Sequence, residues 1–275
     1  MKASDSGEGL MTTGEHLEVL RKMLFRMLFV VLGFAVAIFV FKEPVFEILM
    51  APRNSNFIFY RGVEKFLSLF GIDYHFSAFS IKLISTDLSA QFMLHISTSL
   101  YLALLLASPY IVIELFFYIA PALYENERKM AVPIAVIVYL LFIVGVLMSY
   151  FILFPFSFRF LGTYQVYSDV ENNITLSSYI TTFISLSLVM GLVFQLPVLA
   201  YILAKMGVIT SSLLKEYRKW AVMLIASLSA IITPPDLFTL VMVALPLYLL
   251  YEISIVIIRN VENSINNKQN NSQQI

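Results

Sequence analysis

The sequence has no cysteine and few charged residues. None of its 275 residues is Cys, and only 13% are Asp, Glu, Lys or Arg. The missing cysteine excludes disulfides, thiol catalysis and cysteine-ligated metal, although it does not assign a redox compartment. The 18 basic and 18 acidic side chains balance, and no basic stripe with interleaved aromatics is present, so nothing favours nucleic acid as a partner.

Apolar residues are in excess. They make up 59% of the chain, whereas soluble domains are about 45–50% apolar. The composition therefore predicts an all-α integral membrane protein in a lipid bilayer. Long apolar runs predict six transmembrane helices, at about residues 24–41, 92–113, 130–152, 176–204, 220–233 and 237–258. The fifth run is shorter than a bilayer is thick, so the lipid is expected to thin there or the helix to lean on its neighbours.

The segments outside these runs also carry patterns. Residues 14–23, GEHLEVLRKM, predict an amphipathic lead-in helix at the membrane surface. In the long 42–91 segment, an apolar stripe of Val63, Phe66, Leu67 and Phe70 predicts a short helix. That helix either lies on the membrane surface or packs on other loops. Residues 1–260 are expected to form one membrane domain, followed by a disordered cytoplasmic tail at 261–275.

The distribution of cations indicates the orientation. Twelve of the 18 Lys and Arg residues fall on the side of the two termini if six spans are assumed. Most of the others lie in the long 42–91 segment, which counts for less, because long loops translocate regardless of their charge. Both termini are therefore predicted to be cytoplasmic. No internal repeat is visible, which weakens the case for a secondary transporter.

Prolines and one aspartate mark predicted breaks. Pro52 indicates a turn near the start of the 42–91 segment, and Pro121 lies in the loop after the second run. Pro109 is expected to break or kink the second span, and Pro197 to kink the fourth. Asp236 follows two prolines and is predicted to cap the next helix through its side-chain oxygen.

Three polar residues lie inside or at the ends of apolar runs. Gln195 is predicted with equal weight to form an amide hydrogen bond between helices or to face a substrate. Glu114 and Glu252 lie near predicted cytoplasmic ends, where we expect each to be a buried, paired acid or to snorkel to water. No catalytic pair, phosphate loop or metal-ligand group can be assembled, so no enzyme activity, metal or cofactor is expected.

The segment IAPALYENERK, residues 119–129, is a charged loop that indicates both the orientation of the chain and a candidate binding site. Arg128 and Lys129 stand directly before a new apolar run and predict a cytoplasmic loop. Glu125 and Glu127 beside them can receive a cationic partner.

Six segments together carry a resemblance to a known family. The chain resembles the TatC family, the receptor component of the twin-arginine protein translocase, over nearly all of residues 14–260. The matching segments are HLEVLRK (16–22), SPYIVIELFFYIAPALYENERK (108–129), FPFSFRF (154–160), FQLPVL (194–199), RKWAVMLIASLSAIITPPDLFTL (218–240) and ALPLYLLYEI (244–253).

The resemblance implies a fold and a function. The fold is a concave, glove-like bundle of six spans in a bacterial inner membrane, with both ends in the cytoplasm. The function is recognition of folded proteins through their twin-arginine signal peptides at the cytoplasmic face. Export then takes place with TatA- and TatB-type single-span partners and other copies of the chain, driven by the proton-motive force.

The same resemblance assigns the signal-binding residues. Glu127 occupies the position of the family's signal-binding glutamate, and Glu125 stands beside it. In the motif that contains Arg21 the family has an acid where this chain has Val19, so either Glu18 reaches round, helped by Glu15, or Glu127 carries more of the recognition. Relatives can carry Glu at position 195, and Gln195 cannot titrate, which disfavours a proton relay through it.

Two other classes of protein would show different patterns in the sequence. A secondary transporter of a small solute should show repeats or several titratable groups at mid-membrane. An intramembrane hydrolase should show a catalytic pair. The sequence has neither pattern.

Overall fold

The structure, a computed structural model, describes residues 13–73, 81–119, 125–167, 172–233 and 236–272. Most of these residues are helical. The helices are α1 (Thr13–Val40), α2 (Lys42–Met50), α3 (Ile58–Leu69), α4 (Ala90–Ile119), α5 (Glu125–Met148), α6 (Phe154–Thr163), α7 (Leu176–Val193), α8 (Leu196–Lys205), α9 (Ser211–Glu216), α10 (Arg218–Ile232) and α11 (Leu237–Ser272). A 3-10 turn covers Ala51–Arg53, and a π-helical turn, Ser149–Leu153, joins α5 to α6.

One small exception to the expected all-α class links the two long loops. Strands β1 (Leu83–Ile84) and β2 (Ile174–Thr175) pair in parallel, with Leu83 opposite Ile174. Thr175 also caps α7, because its side-chain oxygen accepts a hydrogen bond from the Ser178 amide at 3.1 Å.

Five of the predicted spans coincide with helical stretches long and apolar enough to cross a membrane, among the residues that the structure describes. These stretches are Leu17–Val40, Ala90–Leu115, Pro133–Thr163, Leu176–Lys205 and Leu237–Asn267. The predicted fifth span at 220–233 falls on α10. This helix has 15 residues, fewer than the ~20 that a standard crossing needs.

The chain divides into two compact units. One consists of Met1–Phe41 and Ser99–Val136, and the other of Lys42–Thr98 and Ile137–Ile275. The long helices α4 and α5 each run from one unit into the other. In the second unit, α8 packs along α11 through Ala200, Ala204 and Ile258.

The lead-in helix is continuous with the first span. The predicted lead-in at residues 14–23 is helical, and α1 runs without interruption from Thr13 to Val40. No proline lies between these residues, so nothing in the backbone forces the helix to turn where the charged residues give way to apolar ones.

Of the break or kink predicted at Pro109, the break does not occur. Helix α4 continues past it to Ile119. A proline lacks the N–H that would bond the carbonyl four residues earlier, which here belongs to Leu105. The Ser108 hydroxyl donates to that same carbonyl at 2.7 Å. The freed acceptor is therefore satisfied inside the apolar run, and the helix continues.

Pro197 is predicted to kink the fourth span, and the structure interrupts the helix just before this residue. Helix α7 ends at Val193, and α8 begins at Leu196 with Pro197 in its first turn. The turn between them contains Gln195, whose backbone N–H bonds the Leu192 carbonyl at 3.0 Å. Proline is favoured at the start of a helix because the missing N–H needs no partner there.

The expected disordered tail is helical through Ser272. Helix α11 starts at Leu237 and has 36 residues. Val261 packs against the contact between α8 and α11, and the Glu262 carboxylate accepts two hydrogen bonds from Ser211, at 2.9 and 2.5 Å. These contacts fix the first turns beyond the membrane run. The tail composition alone gave no sign of them.

The predicted helix cap at Asp236 is confirmed. The Asp236 carboxylate accepts a hydrogen bond from the Thr239 amide at 2.6 Å and another from the Thr239 hydroxyl. It thereby satisfies one of the free N–H groups at the start of α11.

The 42–91 segment is more structured than the stripe alone predicted. Two tyrosines hold the end of α2, because Tyr150 donates to the Ile48 carbonyl at 2.7 Å and Tyr179 donates to the Leu49 carbonyl at 2.9 Å. Carbonyls at a helix C-terminus have no partner within the helix. The two hydrogen bonds therefore hold the C-terminal end of α2 against the π-helical turn, which contains Tyr150, and against α7, which contains Tyr179.

The predicted helix in this segment is α3, and its first turn packs on the protein. The Tyr60 side chain is buried, and its hydroxyl donates to the Pro155 carbonyl at 2.9 Å and lies 3.3 Å from the Pro52 carbonyl. Pro52 is itself buried. Burial raises the pKa of the Tyr60 phenol above its ordinary value, and the Arg159 guanidinium, 5.4 Å from the ring centre, partly opposes the rise.

Candidate functional site

The N-terminal turns of α1 carry the first group of predicted site residues. Glu18 forms an i,i+4 ion pair with Lys22, with 2.9 Å between Oε1 and Nζ, and both side chains are more than half exposed. Arg21 is also exposed, and Val19 is 40% exposed. A shallow surface depression is lined here by Val19, Arg21, Lys22, Phe25 and Arg26. The cations that surround it would repel a cationic ligand unless carboxylates offset them.

One ion pair fixes α1 against α4. The Arg26 guanidinium lies 2.9 Å from the Glu114 carboxylate, and Tyr110 donates to the other oxygen of that carboxylate at 2.6 Å. The Glu114 side chain is only 12% exposed, whereas that of Arg26 is 61% exposed. All three residues belong to the first compact unit. Glu114 is thus a paired acid, and its charge is already compensated by the chain itself.

This pair also shows which side of α1 faces α4. At 3.6 residues per turn, Val19 lies about 20° around the helix from Arg26, whereas Glu18 lies about 80° from it. By the same register, Glu15 lies about 20° from Arg26. Val19 therefore shares the α4 side of the helix. Glu15 shares that side by register, and Glu18 does not.

The two acids of the ENERK segment fall in the first turn of α5, which begins at Glu125. Glu127 is the third residue of the same helix, and both positions belong to the unit that contains α1. Carboxylates are favourable there, because the N-terminal end of a helix carries a partial positive charge. Pro121 lies outside the described residues, and the description of Glu125 and Glu127 covers their backbone only.

Gln195 bridges two spans. Its amide nitrogen donates to the Val138 carbonyl on α5 at 3.1 Å and to the Gly191 carbonyl on α7 at 3.3 Å. The amide oxygen is buried and has no hydrogen-bond partner within the described part of the chain. The hydrogen bond between helices, one of the two predicted roles of Gln195, is thus observed. The unpaired amide oxygen can still accept a hydrogen bond from a substrate, which is the other predicted role.

Glu252 is paired on α11. Arg218 donates to its carboxylate at 2.7 Å, and Tyr248 donates to the other oxygen at 3.0 Å. Like Glu114, this acid has an arginine and a tyrosine as partners, and the tyrosine stands four residues before it in each case. Both carboxylates are therefore held by a cation and a hydroxyl.

The partners of these acids were not predicted from the sequence. Arg26 and Glu114 are separated by 88 positions, and Arg218 and Glu252 by 34. A local signal does exist, since a tyrosine four residues before a glutamate lies on the same face of a helix. Among the described residues, no group of three or more His, Cys, Asp or Glu is arranged to hold a metal ion.

Comparisons with known proteins give the same family as the sequence motifs. Residues 15–246 match the TatC family, described as "Sec-independent protein translocase protein (TatC)". The Sec-independent protein translocase protein TatC of Blattabacterium sp. subsp. Periplaneta americana (strain BPLAN) is 35% identical over 247 residues, which cover 88% of this chain and 93% of that protein. The protein of the same name from Helicobacter pylori (strain ATCC 700392 / 26695) is 41% identical over 180 residues, covering 65% of this chain and 70% of that protein.

A solved structure agrees with these relatives. The crystal structure described as that of the twin arginine translocase receptor TatC matches with a TM-score of 0.70 and 31% sequence identity, covering 90% of this chain and 100% of that one. These likenesses do not favour a transporter of small solutes, and the family is one of transport proteins rather than enzymes. The chain therefore belongs to the TatC family of Sec-independent protein translocase proteins, multi-pass proteins of the inner membrane.

Proposed function

We propose that this chain is the receptor subunit of a twin-arginine translocase and that it binds twin-arginine signal peptides through carboxylates at the cytoplasmic ends of α1 and α5. The observation that carries the proposal is the Arg26–Glu114 ion pair. It joins α1 to α4 in the unit that also holds the start of α5. The two acid-bearing helix ends therefore belong to one compact unit.

Glu127 is the main contact for the signal peptide in this proposal, with Glu125 beside it. Two guanidinium groups are best matched by carboxylates that can each accept a pair of parallel N–H bonds, and a lysine fits this geometry less well. Glu114 is not part of the contact, since its charge is already compensated by Arg26. Arg21, exposed on α1, flanks the site and determines how the signal peptide aligns along it.

The acid that the family has at Val19 is supplied in this chain from one turn earlier. Glu18 is engaged by Lys22 and lies about 80° from the side of α1 that faces α4. Glu15 falls within about 20° of that side by helical register. We therefore assign Glu15 the larger share of the missing role and Glu18 the smaller.

The proposed topology has six spans, with α10 as the short fifth one and both termini in the cytoplasm. Its support is the excess of cations on one side, twelve of 18, since cytoplasmic loops are enriched in Lys and Arg. The proposed partners are TatA- and TatB-type single-span proteins, further copies of this chain, and folded proteins that carry the signal peptide. The proton-motive force acts on the assembly.

The test is photocrosslinking of a twin-arginine signal peptide to the purified protein in lipid vesicles, with a twin-lysine peptide as the ligand control. Removing one charge-assisted hydrogen bond costs about 1.5–3 kcal/mol, so Glu127→Gln should weaken binding by about 10- to 100-fold. Glu43→Gln, at an exposed carboxylate on α2, is the matched control and should leave binding unchanged.

The contribution of α1 is separated by single changes. Glu15→Gln should weaken binding more than Glu18→Gln, and Val19→Glu should strengthen it. Equal crosslinking of the twin-arginine and twin-lysine peptides, or full binding by Glu127→Gln, would refute the site. If Glu18→Gln weakens binding and Glu15→Gln does not, the assignment within α1 is wrong although the site itself remains.

A further inference from the structure

Helix α3 has an apolar face that the protein covers only in part. At about 100° per residue, the apolar positions of α3 occupy a continuous arc of roughly 200°. Tyr60 lies at one edge of this arc and is 1% exposed. The other edge is uncovered, since the exposed fractions there are 68% for Ile58, 60% for Phe66, 83% for Leu69 and 68% for Phe70.

The uncovered side chains form one compact surface at the end of the helix. The rings of Phe66 and Phe70 meet edge to face, with 5.1 Å between their centroids. Gly71 then ends the helix with φ at 74°, and its N–H bonds the Ser68 carbonyl while that of Ile72 bonds the Leu67 carbonyl, each at 3.1 Å. This arrangement is a Schellman motif. Ile72, 53% exposed, follows directly after it.

The contacts of the first turn of α3 fix its depth relative to the membrane. Tyr60 is bonded to the Pro155 carbonyl, and Phe57 stacks on Phe151 with 5.9 Å between ring centroids. The third candidate span begins at Pro133, and Pro155 lies about 33 Å further along at 1.5 Å per residue. The hydrocarbon core of a bilayer is about 30 Å thick. Helix α3 therefore starts at the far edge of the hydrocarbon along this span.

The charges of α3 border the uncovered face. Arg61 and Lys65 are exposed, and by register they lie about 60° and 20° from Ile58, on the side away from Tyr60. Such cations can extend apolar stems along a membrane and place their charged ends among lipid phosphates. An apolar face with cations along its border is the pattern of a helix that lies in the membrane interface.

We propose that α3 is an interfacial anchor. Its Ile58, Phe66, Leu69 and Phe70 face enters the acyl chains of the leaflet at this edge of the hydrocarbon, and Arg61 and Lys65 bind the phosphate groups of that leaflet. The occupant of this face is lipid, since the face lies at the boundary of the hydrocarbon and its border matches anionic headgroups. The proposal requires that the chain crosses the membrane, and it is independent of signal-peptide binding.

The absence of cysteine from the chain gives a direct test. Phe66→Cys and Leu69→Cys are each spin-labelled in the full chain, reconstituted in phosphatidylethanolamine–phosphatidylglycerol vesicles. The matched controls are Glu64→Cys and Ser68→Cys, on the polar side of the same helix. Collision with oxygen, which concentrates in lipid, is compared with collision with a water-soluble nickel chelate by power saturation.

The expected result follows the period of the helix. Labels at positions 66 and 69 should collide mainly with oxygen, and labels at 64 and 68 mainly with the nickel chelate. Equal access of nickel to all four labels would overturn the proposal. Shielding of positions 66 and 69 from both reagents would overturn it too, because a protein surface would then cover the face. Thermal melting of each labelled variant checks that it is folded.

A second measurement tests the role of the cations. The label at position 69 should lie deeper in vesicles that contain phosphatidylglycerol than in pure phosphatidylcholine, since anionic headgroups attract Arg61 and Lys65. The double change Arg61→Gln with Lys65→Gln should remove this difference. An equal depth in both lipids would refute the assignment of phosphate binding to these two residues.

Discussion

Gly145 of α5 lies directly against the backbone of α7 at Met190 and Gly191. A Cβ atom placed on Gly145 would be 2.5 Å from the Met190 carbonyl oxygen and 3.0 Å from the Gly191 Cα. One turn further along, the hydroxyls of Ser149 and Ser187 are 3.3 Å apart, and both residues are fully buried. Small residues thus let the two helices approach closely, which is how helices associate in lipid.

We predict that Gly145→Ala destabilises the protein by about 1–3 kcal/mol, the usual cost of overpacking. The atoms that the new methyl group would meet belong to the backbone, so no side chain can move away to make room. The measurement is the thermal melting temperature of the purified protein in detergent.

Gly33→Ala in α1 is the matched control for this prediction. No atom lies within 4 Å of a Cβ at that position. Alanine is favoured over glycine inside a helix by about 0.5–1 kcal/mol, so the melting temperature should be unchanged or higher. A similar loss of stability in both variants would show that the close contact at Gly145 is not the cause.

The Arg26–Glu114 pair is predicted to be energetically coupled. Arg26→Met leaves the Glu114 carboxylate, whose side chain is 12% exposed, without its cation, and Glu114→Gln leaves Arg26 without an anion. The double variant should lose less stability than the two single losses added together. Because Arg26 is largely exposed, the coupling should be modest, about 0.5–1 kcal/mol.

A double-mutant cycle of thermal or denaturant unfolding measures this coupling. The control is the more exposed pair on the same helix, Glu18 and Lys22, whose side chains are both more than half exposed. Glu18→Gln makes the same chemical change as Glu114→Gln and should leave unfolding unaltered, because solvent screens that pair. Strictly additive losses at Arg26 and Glu114 would mean that the 2.9 Å contact contributes nothing to stability.

Local patterns were sufficient to predict the helices and one cap. Uncharged runs of sufficient length located five stretches that can cross a membrane. The two prolines before Asp236 indicated the helix cap at that residue, and Pro197 indicated a change of the helix path, which the structure shows as the interruption before α8. These features depend on residues within a few positions of one another, so a single sequence contains their cause.

The features that could not be predicted depend on distant residues or on a single hydroxyl. Helix α4 continues past Pro109, where the Ser108 hydroxyl donates to the Leu105 carbonyl, a bond that a proline rule does not consider. The partner of Tyr60 lies 95 positions away at Pro155. The candidate site shows the same limit, because its acids could be named from motifs whereas Arg26 as the partner of Glu114 could not.

The bond between Glu262 and Ser211 gives a final prediction. Ser211 is the first residue of α9, and both its amide and its hydroxyl donate to the Glu262 carboxylate. Glu262→Ala removes the acceptor from both. Hydrogen bonds to a charged group contribute about 1.5–3 kcal/mol, so amide hydrogens of residues 211–216 should exchange about ten times faster or more.

Hydrogen–deuterium exchange with mass spectrometry measures the change in peptides that cover α9. Glu262→Gln is the matched variant, since it keeps one oxygen for the Ser211 amide and should exchange at an intermediate rate. Tyr251→Phe should act in the same direction, because the Tyr251 hydroxyl donates to the Leu214 carbonyl at 2.5 Å. If Glu262→Ala exchanges at the wild-type rate, the α11 extension does not hold α9.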